Sequence, residues 1–112
     1  MIDENILKET LKHCSQKTLD ASLAFNQKKE LSLVPIIVFG IIERFLESDG
    51  REALSSATNS TRLREDLGID SLTMLEIVVT IEQTFQIKVG DENLMSFTTI
   101  GDIKSFIENY EQ

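Results

Sequence analysis

The sequence predicts an all-α fold, a helical bundle, and three observations carry that expectation. Apolar residues recur at spacings of three and four in several segments, no segment alternates as a strand does, and cap-forming residues stand where the periodic segments begin. One long connection crosses the middle of the chain and the later connections are short, as bundles allow. With 112 residues, 41% of them hydrophobic and 27% charged, the chain has the composition of an ordinary globular protein. It suffices for one modest core and is too short for a second core or a large enclosed active site.

The first helix opens at Asp3 as its cap and carries Ile2, Ile6, Leu7, Leu11 and Cys14. A second short helix holds Leu19, Leu23 and Phe25. From Leu33 to Ile42 the chain is nearly all apolar, about half of what a bilayer crossing needs. Glu43 and Arg44 end the run, so it reads as a buried helix of roughly four turns rather than a membrane span. Ser32 is the expected cap, and Pro35 falls in the first turn, where its missing N–H costs little. Gly40 lowers the helix propensity by about 1 kcal/mol. Val34, Ile36, Ile37, Val38, Phe39, Ile41, Ile42, Phe45 and Leu46 surround this helix too completely for one buried stripe. Either the preceding residues 1 to 30 pack on its outer side, or that side is an interface with a second copy or a dedicated enzyme.

From Glu47 to Asp70 runs a connection with a Ser-, Thr- and Asn-rich middle. A structureless loop of that length is unusual in a compact domain. It is therefore expected to be pinned to the core by Leu54, Leu63 and Leu67, with one helical turn near Arg51 to Leu54.

The clearest helix covers residues 71 to 85, opened by Asp70 as a capping carboxylate. At about 100° per residue, Met74, Ile77, Val78, Ile81 and Phe85 form its core face. Leu72, Leu75 and Val79 form a second apolar strip, edged by Glu76 and Gln83 on one side and Ser71 and Glu82 on the other. Two readings fit such a strip: a neighbouring segment covers it, or a partner docks there, since interfaces have apolar centres and charged rims. After Gly90, Asp91 to Met95 make one more helical turn. Thr99 and Asp102 then form a capping box for a last helix whose Ile103, Phe106, Ile107 and Tyr110 face the core.

Nineteen Asp plus Glu against eleven Lys plus Arg give a formal net charge of −8. Such a surface repels nucleic-acid phosphates and anionic membranes and favours proteins with basic patches. The single cysteine, Cys14, forms no internal disulfide and no metal cluster, which fits a reducing compartment. His13 beside it points about 100° away if both lie on a helix, which leaves no Cys/His pair. The acidic start is neither a secretory signal nor a transit peptide, so the expected location is cytoplasmic. The chain has no phosphate loop, no His-Glu-X-X-His and no nucleophile elbow, so no catalytic or metal-ligating set is assigned. One serine stands out. Ser71 lies at the first turn of the clearest helix, where free backbone N–H groups and the helix dipole favour a bound phosphate. The commoner role of a serine there is simply to start the helix.

The run Leu67-Gly68-Ile69-Asp70-Ser71-Leu72, followed by Glu76, Glu82 and Phe85, by Ile87 and Val89 before Asp91-Glu92, and by Thr98-Thr99, resembles the acyl carrier protein family. The similarity extends from about Pro35 to Tyr110. It implies a four-helix bundle over residues 31 to 112, preceded by a helical extension over residues 1 to 30 that stand-alone carriers lack. It also implies that 4'-phosphopantetheine from coenzyme A is esterified to Ser71, and that its thiol carries acyl groups as thioesters. Asp70 would help to hold the metal ion while a phosphopantetheinyl transferase installs the arm. Leu72, Glu76, Val79 and Glu82 fall on the family's recognition helix, which docks on basic patches of acyl-processing enzymes. Leu75, Val79, Val89, Phe97 and Ile103 occupy positions that line an acyl-chain cleft.

The resemblance thus implies a monomeric, non-enzymatic carrier for fatty-acid, polyketide or specialised lipid synthesis. Thr73, Gln83, Thr84, Gln86 and Lys88 stand where fatty-acid carriers usually have acids, which points to specialised partners. Even so, seven acids lie between Glu65 and Glu92 against one base, Lys88. The alternative is a carrier-like helical module that binds a partner as a regulator or scaffold and is never pantetheinylated.

Overall fold

A computed structural model describes residues 3 to 110. It contains α1 (Glu4–Thr10), α2 (Gln16–Lys28), α3 (Val34–Arg44), α4 (Ser48–Ser55), α5 (Ser71–Phe85), α6 (Asp91–Ser96) and α7 (Ile100–Glu108). A 3-10 turn, Leu31–Leu33, leads into α3. Among the described residues the only β-type pairing is an isolated bridge between Arg62 and Thr99. The fold is all-α, as the periodicities require.

The caps explain most boundaries. Asp3 accepts the Asn5 N–H at 2.7 Å to start α1, and the Ser15 hydroxyl accepts the Thr18 N–H to start α2. Thr99 and Asp102 form the reciprocal capping box of α7. Two local expectations are corrected. Ser32 does not cap α3, because the 3-10 turn places Leu33 at the cap position with no side-chain hydrogen bond, and Pro35 follows in the first turn. The turn expected near Arg51 is a full helix, α4, whose Leu54 is buried. Ile2 lies outside the described residues. Within α1, Leu7 is buried and Ile6 is exposed.

Packing follows the apolar faces. Met74, Ile77, Val78, Ile81 and Phe85 of α5 are all buried, together with Ile37, Ile41 and Ile42 of α3 and Ile103 and Ile107 of α7. The first two helices join the same core: α2 packs along α3, and α1 contacts both α2 and α5. Gly40 shows why α2 and α3 come so close. A Cβ at that position would lie 1.8 Å from Thr18 Oγ1, so glycine is what admits the crossing helix. Phe25 of α2 meets Phe85 of α5 edge-to-face, ring centroids 5.1 Å apart. The apolar circumference of α3 is thus covered in large part by α2, with Phe39 left exposed.

The segment from Ser56 to Asp70 is irregular yet pinned. Leu63 and Leu67 are buried, the Leu63 N–H donates to Thr98 O at 2.9 Å, and Ile100 N–H donates to Thr61 O. Gly68 adopts φ +71°, a left-handed conformation that costs glycine little. It turns the chain so that Ile69 is buried and Asp70 emerges at the start of α5.

Candidate functional site at the start of α5

Asp70 and Ser71 form the site's centre. Asp70 Oδ1 accepts the Thr73 N–H at 2.8 Å, the N-cap bond of a fifteen-residue helix. That backbone bond, the Thr73 hydroxyl and the nearby Arg64 cation hold the Asp70 carboxyl below the usual carboxylate range. Ser71, the first helical residue, is exposed, and its Oγ accepts a hydrogen bond from Arg64 Nη1 at 3.1 Å. Arg64 was not singled out by sequence reasoning, because a charge count starting at Glu65 passes it by. The available signal was an arginine one residue before the Glu-Asp-Leu-Gly run.

The second apolar strip of α5 faces solvent. Leu72 is 68% exposed, Leu75 48% and Val79 41%. Further along, Leu75, Glu76 and Val79 share a recess of about 430 Å³ with Phe45 and with Lys12, His13 and Cys14 from the corner between α1 and α2. His13 and Cys14 lie in that corner rather than on a helix, since α1 ends at Thr10 and α2 begins at Gln16. Burial pushes the Cys14 thiol up, away from the thiolate that nucleophilic work needs.

The two carboxylates expected to serve recognition differ. Glu76 is exposed. Glu82 is half-buried, and its Oε2 accepts the Val89 N–H at 2.8 Å, so it braces the loop that follows α5. Of the residues expected to line an acyl cleft, Leu75 and Val79 line the outer recess, Phe97 and Ile103 lie in the main core, and Val89 is packed against that core, so they do not share one cavity. Phe97 also stacks edge-to-face on Phe106, ring centroids 5.6 Å apart.

The family model described as "Phosphopantetheine attachment site" matches residues 40–107. An acyl carrier protein of Onion yellows phytoplasma (strain OY-M) is 41% identical over 71 residues, covering 63% of this chain and 93% of that protein. The chain belongs to the acyl carrier protein family. An acyl carrier protein of Phytoplasma australiense is 43% identical over 53 residues, 47% of this chain and 70% of that one. The meromycolate extension acyl carrier protein of Mycobacterium leprae (strain TN) is 38% identical over 76 residues, covering 68% of this chain and 65% of that protein. The family's relatives are carriers by name, not enzymes.

The prosthetic group of this family is a covalently attached 4'-phosphopantetheine. The residues at the start of α5 fit it chemically: an exposed hydroxyl to esterify, a helix N-terminus that favours an anion, and no wall over Ser71 to block a long arm. When bound, the group supplies a thiol that holds acyl units as thioesters. Among the described residues no helix is long and apolar enough to cross a membrane.

Proposed function

We propose that this chain is an acyl carrier whose 4'-phosphopantetheine is esterified to Ser71 and whose cargo is presented to the enzymes of fatty-acid, polyketide or specialised lipid synthesis. The observation that carries the reading is the exposed Ser71 hydroxyl at the first residue of α5, inside the Leu67 to Leu72 signature. A tethered thiol raises the local concentration of its cargo at each enzyme visited. Asp70 serves the phosphopantetheinyl transferase by helping to hold its metal ion, and its carboxylate is kept ionised for that task by its hydrogen bonds to Thr73.

Leu72, Glu76 and Val79 are the docking residues, an exposed apolar strip with a carboxylate at its edge for basic patches on acyl-processing enzymes. Glu82 contributes by holding the end of that helix. The acyl cleft draws on Leu75 and Val79, which line the outer recess, and on Val89, Phe97 and Ile103, which pack in the core, so one chain contacts both groups only when α5 shifts. The unit that does this work is residues 31 to 112, with residues 1 to 30 an added helical pair. The family match, residues 40–107, lies within that unit. The carrier acts as a monomer in the cytoplasm, in keeping with its acidic surface and lone, half-buried cysteine.

Intact mass tests the proposal. After incubation with coenzyme A, Mg2+ and a broad-specificity phosphopantetheinyl transferase, the chain gains one phosphopantetheine and Ser71→Ala gains none. A folded wild-type chain that gains nothing, while a known carrier in the same tube is modified, replaces this reading with a non-pantetheinylated interaction module.

A further inference from the structure

We propose that Arg64 is the countercharge for the arm's phosphate, a positioning residue that fixes the phosphodiester on one flank of the α5 N-terminus. The inference rests on the reading of Ser71 as the attachment point. Arg64 Nη1 already holds Ser71 Oγ at 3.1 Å. A guanidinium has five N–H donors in a planar fork, and one bonded to Oγ leaves others for oxygens two bonds further on, where a phosphodiester at Ser71 carries its charge.

The surroundings give that cation its importance. Asp70 is adjacent, ionised, and bonded to the Thr73 N–H, so part of the helix's positive end is already neutralised. On the side towards α4, Glu47, Asp49 and Asp70 line a polar recess of about 380 Å³. A phosphate monoanion there meets three carboxylates. The other arginine of this loop, Arg62, is engaged with Asp66 at 3.5 Å. Arg64 is therefore the cation in contact with Ser71, and the local field drives the phosphate towards it and away from the acidic recess.

The loop holds Arg64 for this role. Leu63 before it and Leu67 after it are buried, and the Arg64 carbonyl accepts the Gly68 N–H at 3.0 Å. The side chain thus projects from an anchored turn rather than a free loop. During attachment Ser71 Oγ bonds to a phosphorus of the coenzyme A pyrophosphate. The bond from that phosphorus to the 3',5'-ADP half breaks, and the hydroxyl proton passes to a base of the transferase. The Arg64 donors pass from Oγ to the new phosphodiester's free oxygens.

The test is phosphorus NMR of the full-length chain after enzymatic attachment of the arm, comparing wild type, Arg64→Gln and Arg64→Lys. The wild-type resonance moves as NaCl is raised from about 20 mM to about 500 mM, because salt screens the exposed pair. Arg64→Gln starts at the high-salt position and stays there, and Arg64→Lys recovers part of the movement. The transferase's kcat/KM for the Arg64→Gln chain falls about three- to tenfold, the range of an exposed charge-assisted contact. Circular dichroism of the three chains is the same. Identical resonances and salt responses in wild type and Arg64→Gln overturn the inference while leaving Ser71 as the attachment point. A mass gain by Ser71→Ala instead refutes the attachment reading itself.

Discussion

Replacing Glu82 with Ala destabilises the fold, whereas the same change at Glu76, six residues earlier on α5, does not. Glu82 Oε2 takes the Val89 N–H at 2.8 Å and so ties the end of α5 to the connection leading into α6. Hydrogen bonds to charged groups contribute about 1.5 to 3 kcal/mol. Because the Glu82 side chain is half-buried and water can partly replace it, about 1 to 2 kcal/mol is expected here. Unfolding entropy for a chain this size gives a fall of about 4 °C in Tm per kcal/mol. Glu82→Ala therefore lowers Tm by about 4 to 8 °C, and Glu82→Gln, which keeps an acceptor oxygen, by about half as much. Glu76→Ala stays within about 2 °C of wild type, since exposed side chains away from caps and networks contribute little. Thermal melts followed by circular dichroism measure all three. Equal Tm values for the Glu76 and Glu82 variants would refute the assignment of Glu82 as a brace.

The remaining predictions address packing, docking and acid stability. Gly40→Ala, which would place its Cβ 1.8 Å from Thr18 Oγ1 and 2.7 Å from Thr18 Cβ, destabilises by about 1 to 3 kcal/mol despite alanine's better helix propensity, and Thr18→Ala, which keeps the Cβ contact, restores only part of the loss in a urea-denaturation double-mutant cycle. Glu76→Lys weakens acyl transfer to a partner enzyme at low ionic strength without lowering Tm, and the difference from wild type shrinks as salt is added; equal transfer rates at low salt would remove the electrostatic account of docking. Asp102 accepts the Thr98 and Thr99 N–H groups at 2.8 and 3.0 Å, which hold its carboxyl below the ordinary range. Its stabilising effect is complete above the unfolded-state pKa and is lost as pH falls through the depressed folded value, so Asp102→Asn flattens the acid limb of a urea-midpoint profile measured from pH 7 down to about pH 3.

Much of this was legible because α5, α7 and their caps depend on local rules. Helical spacing alone separates Met74, Ile77, Val78, Ile81 and Phe85, all buried, from Leu72, Leu75 and Val79, all exposed. The Thr99–Asp102 box is a four-residue pattern, and the structure realises both of its bonds. The misses required information from elsewhere in the chain. Ser32 has a capping side chain, but the 3-10 turn decides which residue starts α3. The helix α4 contains Gly50 and a serine at each end, a composition that suggests only one turn near Arg51 to Leu54, although Leu54 is buried as expected. Arg64 and Glu82 have partners seven residues away whose contacts depend on how two turns close.

The carboxylates around α5 show why charge counting could describe this surface but not divide its labour. Counted together, Asp66, Asp70, Glu76 and Glu82 make an acidic face suited to basic partners. Taken one at a time, Asp66 accepts the Arg62 N–H and pairs with its guanidinium, Asp70 caps the helix, and Glu82 holds Val89. Among the described residues, Glu76 is the one of these four whose carboxylate makes no hydrogen bond or ion pair within the chain, and it stands between Leu72 and Val79 on the exposed strip. A bond already made within the chain must be loosened before its carboxylate can serve a partner, which lowers the return from docking. On the proposed function, specific, salt-sensitive recognition would therefore fall chiefly on Glu76 and its apolar neighbours. The Lys12 to Cys14 corner shares the recess of Leu75, Glu76 and Val79. A partner that followed the strip beyond Leu72 would therefore meet residues of the added helices, which also pack into the core.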